Sequence, residues 1–351
     1  MTAEELIDDP GFLAYKFNFE TESVEFLPVD RDELRKVASL KRGNFDSDKT
    51  LRAVPLAEIA ALLESRATDP RGDAPRFIFH TAYCASTFLS RCLDVDGVSV
   101  SLREPQIILD AANAKRLQWR SRSTHLDFSH LPDLAVKLLR KHATGSEKLV
   151  IKPINCVNNI IPELVRASGA NRSLMLFTDA RNFVLSALRK GEGGKQTVRS
   201  MFDLLRCDFP HLANLQLTHT IHMTDLRVIM TLWRLQIEQA NEALQGFSAS
   251  NAMASLYGES LIQHPREALR AVNEYLQMGL SSQQITDIVD SDSRFIDAKN
   301  ADQRFSLEQR EKRYQTLESF YGEDLDDGLQ WLVRNNPGTR LRPELIGELL
   351  S

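Results

Sequence analysis

A chain of 351 residues, 42% apolar and 26% charged, has enough material for one large core or two modest ones. Its formal net charge of −5 excludes a general attraction to nucleic acid, so an anionic ligand needs a local cluster of cations or backbone amides. No apolar run approaches the ~20 residues of a membrane-spanning helix, which argues against a membrane partner. The start of the chain is acidic and unlike a signal peptide, and the four cysteines have no zinc-like spacing. A cytoplasmic location is the expectation.

Residues 12–29 alternate apolar and polar positions around a polar turn, which predicts a hairpin. Helices are expected near 31–40 and over 56–65, and the Pro-, Gly- and Asp-rich stretch 68–75 reads as a linker. From Arg76 the rhythm changes. Residues 76–80, Arg-Phe-Ile-Phe-His, form the short apolar run of a buried parallel strand. A turn follows, then an amphipathic helix with Phe88, Leu89, Cys92 and Leu93 on one face. Further strands are expected at 98–102, 148–151, 173–177 and 252–256. Helical stretches at 132–142, 158–166, 181–190 and 226–244 separate them.

This alternation predicts an α/β fold of three layers, α/β/α, with a central mainly parallel sheet and a small N-terminal hairpin and helix extension. The expected organisation is an α+β extension over 1–74, the α/β domain over 75–300 and a helical segment over 301–351. Trp331 and Leu332 are expected to anchor that last segment in the core. The apolar stripe of 226–244, with Trp233, reads as core.

The chemistry is expected at the first turn of the α/β part. Between strand and helix, small residues at Cys84, Ala85, Ser86 and Thr87 allow successive N–H groups to face one point, helped by the helix dipole and two hydroxyls. A plain capped turn is the ordinary alternative. The sequence is not a Walker A loop, since Gly-x-x-x-x-Gly-Lys-Ser/Thr is absent and no lysine lies in the turn. Residues 189–195 combine three cations with three glycines and read as an exposed flexible connection, with a loop closing on an anion as the alternative. His219 and His222 lack a third ligand, so no metal is expected.

Four blocks in order resemble the sulfotransferases. Tyr83-Cys84-Ala85-Ser86-Thr87-Phe88-Leu89 is similar to the end of that family's first loop. Ile151-Lys152-Pro153 looks like its Lys-x-Pro strand end, and residues 178–186 look like its Arg-Asp-Pro-x-x-x-x-x-Ser segment. Residues 257–280, from Tyr-Gly-Glu-Ser-Leu to Met-Gly-Leu, are similar to its later strand and helix. The resemblance implies a P-loop-like fold and sulfuryl transfer from 3′-phosphoadenylyl sulfate to a hydroxyl or amine of a small-molecule, carbohydrate or peptide acceptor.

It further implies that Tyr83, Cys84, Ala85, Ser86, Thr87 and Phe88, with Arg181 and Ser186, hold the donor. Lys152 is the expected charge stabiliser, Glu104 the first choice of base and His80 the second. A surface lysine, a salt bridge or helix cap, and a core histidine are their respective structural alternatives. Two departures stand out: the family's loop cation is replaced by Tyr83, and its 3′-phosphate arginine by Thr178. Arg91, Arg181, Arg189, Lys190, Lys195 and Lys299 are the available replacements. A kinase-like phosphotransferase and a non-catalytic regulatory protein are the rival expectations. The N-terminal part is expected either to pack on a sheet edge or to mediate self-association, as in a homodimer.

Overall fold

The computed structural model describes residues 1–66, 74–120, 129–169, 172–213, 223–291, 296–297, 300–304 and 307–350. Most of the expected linker, His219, His222 and Lys299 lie outside the described residues. The elements are α1 (Ala3–Asp8), β1 (Phe12–Asn18), β2 (Ser23–Pro28), α2 (Arg31–Lys36), β3 (Arg52–Pro55), α3 (Leu56–Glu64), β4 (Arg76–His80), α4 (Ser86–Cys92) and β5 (Ser99–Arg103). Then come α5 (Gln106–Arg120), α6 (Leu131–Leu139), β6 (Lys148–Lys152), α7 (Ile161–Ala167), β7 (Ser173–Phe177), α8 (Ala180–Leu188), α9 (Gly191–Leu205) and α10 (Pro210–Ala213). The chain continues with α11 (Asp225–Phe247), β8 (Met253–Tyr257), α12 (Gly258–Gln263), α13 (Pro265–Leu276), α14 (Ser282–Asp290), a two-stranded β9 (Ile296–Asp297) and β10 (Asn300–Arg304), and α15 (Leu307–Asn335). No helix among the described residues is long and apolar enough to cross a membrane.

The central sheet has five strands in the order β5-β6-β4-β7-β8, and its pairings of β5 with β6 and β6 with β4 are parallel. The protein is an α/β fold of strands alternating with helices, as its sequence pattern predicts. β4, β5 and β7 are buried at every position, because helices cover both faces of such a sheet. Serine hydroxyls inside it find partners: Ser90 with Ser101 at 2.7 Å, and Ser99 donating to the Leu93 carbonyl at 2.7 Å.

The described chain divides into two compact units, one of Met1–Phe79, Thr87–Leu174 and Val272–Ile285, the other of His80–Ser86, Met175–Ala271 and Thr286–Ser351. In the first, the predicted hairpin pairs antiparallel from Phe12↔Pro28 to Asn18↔Ser23, and β3 adds a third strand beside β2. That third strand escapes sequence reading because only Val54 of its four residues is buried, so no alternation marks it. The extension is tied down by polar contacts. Phe17 N–H donates to Asp110 on α5 at 3.0 Å. The enclosed Arg103 guanidinium donates to the carbonyls of Leu34, Arg35 and Val37, and to Asp94.

In the second unit Trp233 of α11 is fully buried and donates from Nε1 to the Thr178 carbonyl at 2.9 Å. After α15 the chain runs along β8: Ser255 N–H donates to Gly347 O at 3.0 Å, and Leu349 N–H donates to Ser255 O at 2.9 Å. This backbone pairing covers hydrogen-bonding groups that a sheet edge leaves open. Leu325, Leu329 and Leu332 carry the buried face of α15, so Leu332 is an anchor as expected. Trp331 is not. It is half-buried, with the Arg227 guanidinium 5.2 Å above its ring, because the helical period turns it a residue away from the apolar face.

Candidate functional site

The peptide after β4 turns sharply. Ala82 (φ +63°), Tyr83 (+53°) and Ala85 (+62°) all lie in the left-handed region, where a side chain costs about 1–2 kcal/mol per residue. Three such residues in four positions must be held in place. Thr81 N–H donates to Leu176 O at 3.0 Å, Ala82 N–H donates to His80 Nδ1 at 3.0 Å, and the Cys84 thiol donates to Leu176 O at 3.6 Å. Gly258 closes in from the start of α12: a Cβ there would stand 2.6 Å from the Cys84 carbonyl oxygen. A glycine is required at that approach because the neighbouring atom is backbone and cannot swing aside.

α4 begins at Ser86 and has seven residues, so its dipole is short. Attraction for an anion therefore falls to the turn's own groups and to nearby cations. Ser86 is buried, and Thr87 and Phe88 are half-buried on the first turn of the helix. The hydroxyl of Thr81, which is fully enclosed, and the buried hydroxyl of Tyr83 have no hydrogen-bond partner within the protein. A buried donor without a partner is uncommon, and a ligand or ordered water is one way to satisfy it. Burial pushes the Tyr83 phenol up to about 12, against a smaller opposing effect of Arg189, so it stays a neutral donor.

Tyr83 stands where the resembling family carries its loop cation. Its ring meets Phe183 edge-on, centroids 5.0 Å apart, and the Lys190 ammonium lies 4.4 Å from its ring centre. The segment that brings Lys190 there is not the exposed flexible connection expected from its glycines. Gly191 begins α9, and Gly194 packs so closely on α8 that a Cβ would be 2.5 Å from the Ala187 carbonyl. Gly194 serves a tight junction of two helices. Lys195 is held by Glu192 at 2.7 Å and Asp225 at 3.6 Å.

The positions matched to a 3′-phosphate behave differently. Thr178 is fully buried, and its hydroxyl has no partner in the protein. Arg181 donates to Glu318 at 2.8 Å and also pairs with Asp326, both on α15. Ser186 is buried against Tyr314 of the same helix, oxygen to oxygen at 2.5 Å. Arg181 and Ser186 are thus engaged by α15, while the Thr178 hydroxyl is enclosed without a partner in the protein. Beside them, Tyr257 donates to Asp179 at 2.6 Å, which together with burial holds its phenol far above the usual range. Arg310 grips Glu259 through both guanidinium nitrogens, at 2.6 and 2.7 Å. Neither pair was expected from sequence. The substitution of Gly258 into the family's Tyr-Glu-Asp-Leu pattern is the one visible signal near them.

In the first unit the structure brings Glu104 and Lys152 together. Lys152 Nζ is 2.8 Å from Glu104 Oε1, and the lysine side chain is only 1% exposed. This is not a snorkelling surface lysine. Lys41 stands 3.6 Å from the other carboxylate oxygen. Glu104 has φ +53°, and its N–H donates to Lys152 O at 2.6 Å, so backbone and side chain both bind it to the end of β6. His80, 5% exposed, accepts at Nδ1 from the Ala82 N–H.

Among the described residues no group of three or more His, Cys, Asp or Glu side chains is placed to hold a metal ion. No protein-family model matches the chain, and no curated protein matches it. Among solved structures, that of the sulfotransferase STF9 from Mycobacterium avium is similar over 77% of this chain and 81% of that one, at 12% identity and a TM-score of 0.38. A likeness that loose carries no argument, so the functional reading rests on this chain's own residues.

Proposed function

We propose that the protein is a sulfotransferase-like transferase that holds the anionic end of a phosphosulfate donor at residues 80–86. The observation that carries this reading is the strained turn after β4, with three side-chain-bearing residues at positive φ and Lys190 against Tyr83. Strain of this kind persists where surrounding contacts over-determine it, and it concentrates at ligand clamps.

In sulfuryl transfer a bond forms from the acceptor oxygen or nitrogen to sulfur as the sulfur–oxygen bond to the donor's phosphate breaks. The acceptor's proton goes to a base. On their chemistry, Lys152 is proposed to stabilise the charge that grows on the transferred group, Glu104 to take the proton, and His80 to be the second candidate for that role. The proposed donor is 3′-phosphoadenylyl sulfate. Its recognition is proposed to depend on the 5′ end, because Arg181 and Ser186 are engaged by α15 and Thr178 is enclosed.

Titration calorimetry of the full chain with 3′-phosphoadenosine 5′-phosphate, adenosine 5′-phosphate, ATP and GTP tests this. Binding of the first, with the second weaker by no more than about tenfold, is the expected result, since one lost charged contact is worth about 1.4 kcal/mol. Preference for ATP or GTP supports a phosphotransferase instead. No heat from any of the four at about 1 mM rules the reading out.

A further inference from the structure

After α15 the chain makes a tight turn. Asn336 N–H donates to Val333 O at 3.3 Å, and Thr339 N–H donates to Asn336 O at 3.1 Å. Gly338 has φ +88°, where any side chain is strained. This turn helps to enclose a cavity of about 520 Å³, within the size range of small-molecule sites. α11 contributes Arg234, and the last turn of α15 contributes Trp331 and Asn335. Asn336, Pro337 and Thr339 follow. Among the described residues, none that lines this cavity belongs to the turn after β4. We infer that the cavity binds an aryl carboxylate, a small monoanion with a flat apolar body, whose charged end is held by Arg234 and whose ring packs against Trp331.

Charge and shape select that class. Among the described residues that line the cavity, Arg234 is the one that carries a charge. Its ion pair with Glu238, one turn further along α11, uses Nη1, at 2.9 Å. Its Nε is enclosed and has no hydrogen-bond partner among the described residues. A buried donor without a partner is uncommon, and a ligand oxygen satisfies it. Nε and Nη2 together form the guanidinium edge that meets both oxygens of a carboxylate side by side. A cation already shared with Glu238 balances a monoanion better than a doubly charged phosphate.

The flat apolar body follows from the other walls. Trp331 is half-buried, and the Arg227 guanidinium 5.2 Å from its ring centre fixes the indole from one face. Leu212 of α10 and Pro337 add apolar surface. Asn335 donates to Trp331 O at 2.8 Å and Asn336 to Leu332 O at 2.9 Å, so each carboxamide is tied to the end of its own helix. Each also offers an oxygen that accepts, which favours a hydroxyl on the ligand's ring.

Calorimetric titration of the full chain with benzoate, 4-hydroxybenzoate, benzyl alcohol and inorganic phosphate tests this. Arg234→Gln, Arg234→Lys, Trp331→Leu and Arg334→Gln are compared with the unmodified protein. Benzoate is expected to bind with a Kd of about 1 mM or below, and 4-hydroxybenzoate a few-fold tighter. Arg234→Gln is expected to weaken both by about tenfold or more, and Arg234→Lys by less, since an ammonium keeps the charge but lacks the planar edge. Trp331→Leu is expected to weaken them by about three- to tenfold. Arg334→Gln, outside the cavity lining, is expected to change neither. Both carboxylates are expected to raise the melting temperature of the unmodified protein and not that of Arg234→Gln. Trp331→Leu carries the test if Arg234→Gln does not fold. Equal binding by the unmodified protein and Arg234→Gln overturns the inference, as does benzyl alcohol binding as tightly as benzoate. Phosphate binding that Arg234→Gln abolishes overturns the choice of a carboxylate. Absence of benzoate binding at about 10 mM overturns the site itself.

Discussion

Two corners of the molecule place a lysine beside a residue forced to positive φ just after a strand, and they do it in opposite ways. After β5, Glu104 at φ +53° meets Lys152 at 2.8 Å, a carboxylate against an ammonium. After β4, Tyr83 at φ +53° meets Lys190 at 4.4 Å, a ring against an ammonium. The first contact positions a charge and compensates it, as burial of Lys152 demands. The second sets the half-buried Lys190 against an aromatic ring. Ion pairing and a ring contact are thus two different ways of fixing a lysine against a turn at positive φ.

The comparison breaks most visibly at Lys152. If the proposed sulfuryl transfer holds, Lys152→Ala is expected to lower its turnover by about 100- to 1,000-fold, in the range for removing one charge-stabilising donor. It also removes the 2.8 Å partner of Glu104 and lowers the melting temperature. A folded variant with unchanged turnover would confine Lys152 to a structural role. Lys190→Ala, by contrast, is expected to move the melt less, since one ring–cation contact is worth about 0.5–2 kcal/mol.

Gly258 sharpens the second corner. Gly258→Ala sets a methyl 2.6 Å from the Cys84 carbonyl, so urea unfolding is expected to show a loss of about 1–3 kcal/mol and phosphate binding to weaken with it. At Gly322 in α15 an added methyl meets no atom within 4 Å, and Gly322→Ala is expected to be neutral or stabilising by about 0.5–1 kcal/mol. A Gly258→Ala protein as stable as the unmodified one removes the claim that α12 presses the turn into shape.

The first unit also carries an acid response of its own. Burial pushes His142 down to about 3, with Lys141 and Arg31 adding to the shift, and neither ring nitrogen has a hydrogen-bond partner within the protein. The unfolded histidine takes a proton below its ordinary 6.5 and the folded one does not. Its contribution is therefore present above pH 6.5 and is lost as pH falls toward 3, by about 1.4 kcal/mol per pH unit. Asp110 opposes it. Burial raises its carboxyl to about 6, so its contribution is present below 3.8 and is lost as pH rises through 6. Between about pH 4 and 6 the two nearly cancel, and Asp110→Asn is expected to uncover the His142 slope in urea titrations. An Asp110→Asn protein whose stability stays flat over that range contradicts the assignment.

Legibility followed local pattern. All five central strands were marked by short apolar runs, and residues 173–177 coincide with β7 as observed. β3 was hidden because a strand with one buried residue has no period. α9 was hidden because Gly191, Gly193 and Gly194 signal a loop, and the cause at Gly194, a close approach of α8, is a contact that no local pattern shows. Trp331 was misplaced because an aromatic in an apolar stretch was read as core without its helical phase.

At the candidate site, the sequence identified the turn from its small residues and from its place between strand and helix. It also marked Lys152 and Glu104 as chemically interesting, because each falls at the end of a predicted strand. By itself, then, the sequence determined the α/β architecture and the position of the turn, since both arise from periodicities and residue sizes within a few neighbouring positions. Tertiary structure alone decided which cation meets Tyr83, that Arg181 and Ser186 turn to α15, and that Gly258 closes on Cys84. Those contacts join residues far apart in the chain, and a side chain's partner is chosen by where the backbone carries it.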